Sequence, residues 1–207
     1  MSQSGRELHG VHVAIVRHND DPEGLGRVKL EYPWRESQAT SGWARVAVPM
    51  AGPDRGTYFL PEPGDEVLVA FAGADIDHPY VVGALWNGED GPPEANHDGD
   101  NDRRGIVSRN GHQLIFDDDD AGGCIRIETA GGSRVVLDDA DGGSETISIE
   151  DAGGNRIELD GGRNDLSISS NGTISIDATG IEISSGGKLD ITAGGVLSLN
   201  GAMIQLN

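Results

Sequence analysis

The chain has 207 residues, a formal net charge of −20 and only two lysines, Lys29 and Lys188. Such a surface repels nucleic acid and anionic membrane, so neither is an expected partner. Lysine scarcity with abundant aspartate resembles proteins of salt-loving organisms. A single cysteine, Cys124, excludes an intrachain disulfide, and no signal peptide or bilayer-spanning apolar run is present. The 32 glycines suit a repeat architecture whose turns need positive φ.

Residues 1–9 read as a loose, polar N-terminus. Gly10–His18 alternates apolar and polar residues and predicts a first strand, followed by a turn cluster, Asn19–Gly24. Gly26–Tyr32 predicts a second strand that Pro33 stops, and Gly42–Ala51 a third. Gly56–Pro63, Gly64–Phe71 and Pro79–Trp86 complete a set of five or six short strands with turn signals about every ten residues. That pattern predicts a small barrel or sandwich over residues 10–87. The aromatic residues all fall at or before Phe116, so this half has the material for a conventional core. Residues 88–104 lose their apolar residues and read as an acidic linker.

From Gly105 to Asn207, apolar–polar–apolar triplets recur: Ile125 and Ile127, Ile147 and Ile149, Ile157 and Leu159, and so on to Ile204 and Leu206. Three units share a Gly-x-x-apolar-x-apolar-Asp pattern beginning at Gly111, Gly132 and Gly154. Beyond Asp165 the step shortens to seven or eight residues. A strand of about five residues plus a tight turn makes one wall of a prism. Either one chain coils as a three-walled solenoid, or three chains wind round a common axis. Each rung offers only one or two inward aliphatic residues, and the chain ends mid-pattern on Met203, Ile204 and Leu206 without a polar cap. Both features favour an intertwined homotrimer over a lone solenoid.

No chemistry-bearing motif outweighs its structural reading. The run Asp117–Asp120 does not fit the calcium-binding repeat frame and reads as a solvated turn. His9 and His12 have helical metal-ligand spacing on a segment that reads as strand and loop, so no metal site is expected. No Gly-x-Ser-x-Gly elbow and no phosphate-binding glycine loop is present, and the repeats lack the long insertions and aromatic platforms of a sugar groove. No catalytic residue, cofactor or metal is expected. The chain reads as a non-enzymatic protein.

The segments GRVKLEYPW (26–34), SGWARVAVPMAG (41–52), GTYFLPEPGDEVLVAF (56–71) and DIDHPYVVGALWN (75–87) arrive in fixed order. Together they closely resemble the OB-fold domain of contractile-injection spike proteins. That family includes phage baseplate assembly protein V, the valine-glycine repeat proteins (VgrG) of type VI secretion, and spikes of phage-tail-like particles. Trp43, Gly64, Asp65, Pro79 and Gly83 carry the most specific part of the likeness and are expected to be structural. The repeats behind them resemble the family's triple-stranded β-helix. The resemblance implies an all-β fold, with an OB-fold barrel at 10–87 and an elongated β-helix or prism at 105–207. It also implies a homotrimeric central spike that punctures a target envelope on sheath contraction and touches the membrane only then.

No hub-like region precedes Gly10, so a separate hub (tube-adaptor) protein is expected at the barrel. The apex lacks the histidine-x-histidine motif by which short phage spikes bind iron. By resemblance, Met203, Ile204, Gln205, Leu206 and Asn207 would instead meet a conical tip protein of the PAAR-repeat type. Assembly in the cytoplasm, without a signal peptide, into a virion, phage-tail-like particle or secretion baseplate follows from the same likeness. The alternative reading is a single-chain β-helix or tail-fibre protein that binds polysaccharide or a receptor.

Overall fold

The computed structural model describes residues 8–36, 40–139 and 145–205. The described residues contain no α-helix. They fall into two compact units that divide after Asp100.

The first unit is built on alternation. Strand β1 (Val11–His18) turns Ala14 and Val16 inward, and β2 (Lys29–Glu31) turns Leu30 inward, flanked by buried Val28 and Tyr32. Next come three two-residue strands, β3 (Arg45–Val46), β4 (Ala51–Gly52) and β5 (Arg55–Gly56), then β6 (Glu66–Phe71) and β7 (Pro79–Leu85). A single 3-10 turn, Ala72–Ala74, links β6 to β7. The main sheet has the order β2-β1-β6-β7-β3, antiparallel throughout except that β3 runs parallel to β7.

Beyond β3, a bridge between Val28 and Ala44 ties β3 back to β2, with hydrogen bonds of 3.0 and 2.8 Å in the two directions. The sheet therefore closes on itself, which leaves no long free edge. Inside it Val16, Val28, Leu30, Val67 and Val69 have no exposed surface. Removing one such side chain from water contributes about 1.5–3 kcal/mol, so these alternate positions define the barrel.

Three expected strands are shorter than their sequence signals, and of Gly26–Tyr32 only Lys29–Glu31 is strand. Apart from the Ala44 bridge, the segment Gly42–Ala51 forms strand only at Arg45–Val46 and at its end, Ala51, because Pro49 lacks the N–H that a continued ladder needs. The segment Gly56–Pro63 contributes only Gly56 to a two-residue hairpin with β4, and Tyr58 and Phe59 point to solvent at 77% and 64% exposure. Pro61 and Pro63 interrupt any further pairing.

The second unit contains seven five-residue strands. These are β8 (Arg103–Val107), β9 (Gln113–Asp117), β10 (Cys124–Glu128), β11 (Arg134–Asp138), β12 (Thr146–Glu150), β13 (Arg156–Asp160) and β14 (Asp165–Ser169). They form one antiparallel meander in chain order. Strand β8 starts inside the segment read as linker: Arg103 and Arg104 pair with Asp117 and Asp118 across the β8–β9 ladder.

The three Gly repeats are one turn used three times. Gly111, Gly132 and Gly154 have φ of 84°, 89° and 83°, a region that glycine enters freely. Each sits in a five-residue hairpin loop, 108–112, 129–133 and 151–155, with the same two backbone bonds. The residue opening each loop, Ser108, Thr129 or Asp151, also accepts a bond from the backbone N–H four residues on, at 2.9–3.1 Å. From Ser170 to Gln205 the described chain makes no strand.

Candidate assembly surface

Period-two alternation sends Leu114, Phe116, Ile125, Ile127 and their equivalents to one face of the second sheet. Register then lines them up in two ladders. One runs Phe116, Ile125, Leu137, Ile147, Leu159, Leu166; the other runs Leu114, Ile127, Val135, Ile149, Ile157, Ile168. Nothing in the described chain covers this face. Ile127 is 52% exposed, Leu166 66% and Ile168 60%.

The opposite face carries charge and is the better covered of the two. Glu150 receives Arg134 at 2.9 Å and Arg156 at 3.5 Å, Arg156 also meets Glu158, and Ser148 is buried between these strands. An aliphatic face left open beside a satisfied polar one reverses the usual arrangement of a monomeric sheet. A groove of about 640 Å³ opens at one end of the apolar face, lined by Ile127, Ile149, Ile157, Ile168 and Ile174. The residues beyond β14 keep the same composition and exposure, with Ile176 72% and Ile183 69% exposed.

The barrel residues singled out in the sequence lie in and beside the turns and strands of the first unit. Trp43 is half-buried beneath two cations, with the Lys29 Nζ 5.0 Å and the Arg27 guanidinium 6.0 Å from the ring centre. Gly64 (φ 107°) donates its N–H to the Val16 carbonyl at 2.9 Å, and Val16 donates to the Asp65 carbonyl at 3.0 Å. The Asp65 carboxylate accepts from the Glu62 N–H at 2.8 Å and so closes the turn into β6. Pro79 opens β7 opposite Phe71, where a missing N–H is tolerated. Gly83 lies opposite Leu68, next to the irregularity between Leu68 and Val69. At the other end, Met203 is 84% and Ile204 52% exposed, and Gln205 is exposed. Leu206 and Asn207 lie outside the described residues.

Sequence reading missed the best-held ion pair in the barrel. Asp21, assigned only to a turn cluster, takes two bonds of 2.8 Å from Arg27 and accepts the backbone N–H groups of Glu23 and Leu25 at 3.1 Å. Its side chain is 2% exposed. The Arg27 hydrogen bonds hold its carboxyl well below the usual range, against the opposing effect of burial, and raise the guanidinium in turn. The signal available was an Asp in a turn six residues before an Arg. His12 packs its ring 5.1 Å from Trp34 and 5.5 Å from Phe71. Among the described residues no group of three or more His, Cys, Asp or Glu side chains is arranged to hold a metal.

Known proteins fit this barrel. Residues 12–86 match the type VI secretion system/phage-baseplate injector OB domain family. The type VI secretion system spike protein VgrG2a of Pseudomonas aeruginosa is 38% identical over 74 residues, 34% of this chain and 9% of that protein. Spike protein VgrG1a of the same organism is 32% identical over 108 residues, 44% of this chain and 17% of that protein. The actin cross-linking toxin VgrG1 of Vibrio cholerae is 35% identical over 72 residues, 7% of its length. The matched stretches span less than a fifth of each of these relatives. Residues 12–86 thus match the injector OB domain of the type VI secretion and phage-baseplate kind, and over that stretch the chain is VgrG-like.

Proposed function

We propose that this chain is the structural, non-catalytic central spike of a contractile injection machine, and that it works as a homotrimer. The uncovered aliphatic face of the second sheet is the observation that carries this reading. Three copies with their ladders turned inward would remove that face from water, where a single copy leaves it exposed. The strandless segment 170–205 keeps a seven-to-eight-residue apolar period. Its backbone groups would find ladder partners in neighbouring copies, giving the triple-stranded β-helix.

In that reading the barrel seats on a hub protein, as a VgrG-like injector domain would. Met203, Ile204, Gln205, Leu206 and Asn207 are the residues to which a separate PAAR-type tip protein binds. Sheath contraction then loads the spike along its axis. Chains whose rungs pair with one another cannot unravel singly, so resistance to unfolding is kinetic.

Light scattering of the full chain tests the reading. The expected mass is three times the 21.7 kDa of one chain. A monomer mass at micromolar concentration sinks it. Removal of 201–207 is expected to abolish tip-protein capture in a pull-down and leave the trimer mass unchanged.

A further inference from the structure

The two rows of turns that edge the second sheet differ in charge. The β9–β10 turn runs through Asp117 to Asp120, the β11–β12 turn starts at Asp138-Asp139 and ends on Glu145, and the β13–β14 turn runs from Asp160 to Asp165. All three lie on one edge, because antiparallel hairpins return to the same side at every second turn. Among the described residues that edge, with Asp102 just before β8, holds ten carboxylates against three arginines, Arg103, Arg104 and Arg163. The other edge holds Glu128, Glu150 and Asp151 against Arg109, Arg134 and Arg156, and is balanced. Gly123 marks how close the acidic turns lie to the strands. A Cβ there would stand 2.6 Å from the Asp117 carbonyl, and Asp139 donates its N–H to the Gly123 carbonyl at 2.9 Å.

The apolar faces of two copies can meet in two directions. If both sheets run from β8 to β14 the same way about a common axis, the acidic row of one copy lies beside the balanced row of the next. If one copy is reversed end for end by a twofold axis along its strands, acidic row meets acidic row. The first contact is heterologous and the second isologous. The ladders alone do not distinguish the two, because aliphatic residues fill every strand from β9 to β14 and present a nearly uniform surface in either direction. Like charges placed opposite one another are unfavourable, and more so at low salt.

We propose that the acidic row is a direction key: it excludes reversed packing between copies of this chain and leaves the arrangement in which all copies point the same way. This inference rests on the reading of the aliphatic ladders as a self-association face. The device is repulsive, and its role is to raise the alternative in energy without adding a contact to the favoured state.

Spin-label distances in the full-length chain test it. In a Cys124→Ser background, single labels are placed on the charged face at Val107→Cys in β8 and at Ser167→Cys in β14. Pure samples of each variant and a mixture of the two are measured at 50 mM salt. Same-direction packing gives a short 167–167 distance and a longer 107–167 distance between copies. Reversed packing interchanges them, since β8 and β14 lie six strand spacings, about 29 Å, apart. The expected wild-type result is the first pattern alone.

Neutralising the row with D118N, D119N, D120N, D138N and D139N is expected to add a short 107–167 population. Raising the salt to 1 M, where screening falls to about 3 Å, is expected to add the same population to the unmodified row when the chain is refolded. An unmodified row that gives the reversed pattern, or a neutralised row and a high-salt refold that both keep the single pattern, overturns the direction key while the assembly reading stands. A monomer mass in all samples overturns both.

Discussion

The two units use the same period-two alternation and reach opposite results. In the barrel, alternation plus closure buries a core that runs from Ala14 on β1 to Val81 on β7, within one chain. In the second unit, alternation without closure produces an open meander whose apolar side has no inside. The difference lies in chain geometry more than in hydrophobicity. The barrel's strands differ in length, and the Val28–Ala44 bridge joins its first and last neighbours. The meander's strands are uniform five-residue rungs that stack in chain order and never return. A self-sufficient core and an unfinished core can therefore be written in nearly the same residue pattern.

The comparison breaks most sharply at the ladders. Placing a carboxylate at two rungs of one ladder, I127D with I149D on either side of Val135, puts charge where the proposed trimer is driest. Burying an unpaired carboxylate is prohibitive, so the expected outcome is complete loss of the trimer in light scattering. The barrel, which shares no residue with the ladders, is expected to keep its tertiary circular dichroism from Trp34 and Trp43. A trimer that survives the double substitution would show that the ladders are not the contact.

The barrel gives the next largest effect, with the reverse outcome. Leu30 is the largest side chain with no exposed surface in the first unit. L30A removes three carbons from a closed core and is expected to cost about 2–5 kcal/mol in the unfolding of the barrel. The trimer mass should not change, because the ladders are untouched. A loss below about 1 kcal/mol would mean that the barrel collapses around the space more readily than its closed sheet suggests.

Much of this division was legible in the sequence, and for a physical reason. Gly64–Phe71 and Pro79–Trp86 are short apolar runs bounded by turn signals, so they read as strands and became β6 and β7. Gly111, Gly132 and Gly154 recur because each hairpin loop needs one left-handed residue. The hydroxyl or carboxylate that opens each loop was not picked out, since Ser, Thr and Asp do the same work and leave no single-letter repeat. The overlong third strand was misjudged because alternation reports which face a residue takes, not how many of its neighbours find a ladder partner. The strandless run after Ser170 is the extreme case. Its period fixes a face, but a period is silent about whether the neighbouring strand comes from the same chain or another.

The smallest expected effect concerns acid, and it separates the barrel's ion pair from its core. The Asp21 carboxyl is lowered in the fold from an ordinary 3.8, chiefly by its bonds from Arg27. A lowered carboxyl binds fewer protons folded than unfolded, so its stabilisation is complete above the ordinary value and is lost as pH falls below it. Glu31, lowered by its hydrogen bond from Arg17, acts in the same direction in the same unit. The melting temperature of the barrel is therefore expected to be flat from pH 7 to about 5 and to decline below about 4. D21N keeps the side-chain shape and removes the charge, so it should melt below wild type at pH 6, and the gap should narrow by pH 2.5. A gap of equal size at both pH values would mean that Asp21 acts through its bonds to the Glu23 and Leu25 amides as a neutral turn residue would, with no contribution from the Arg27 charge.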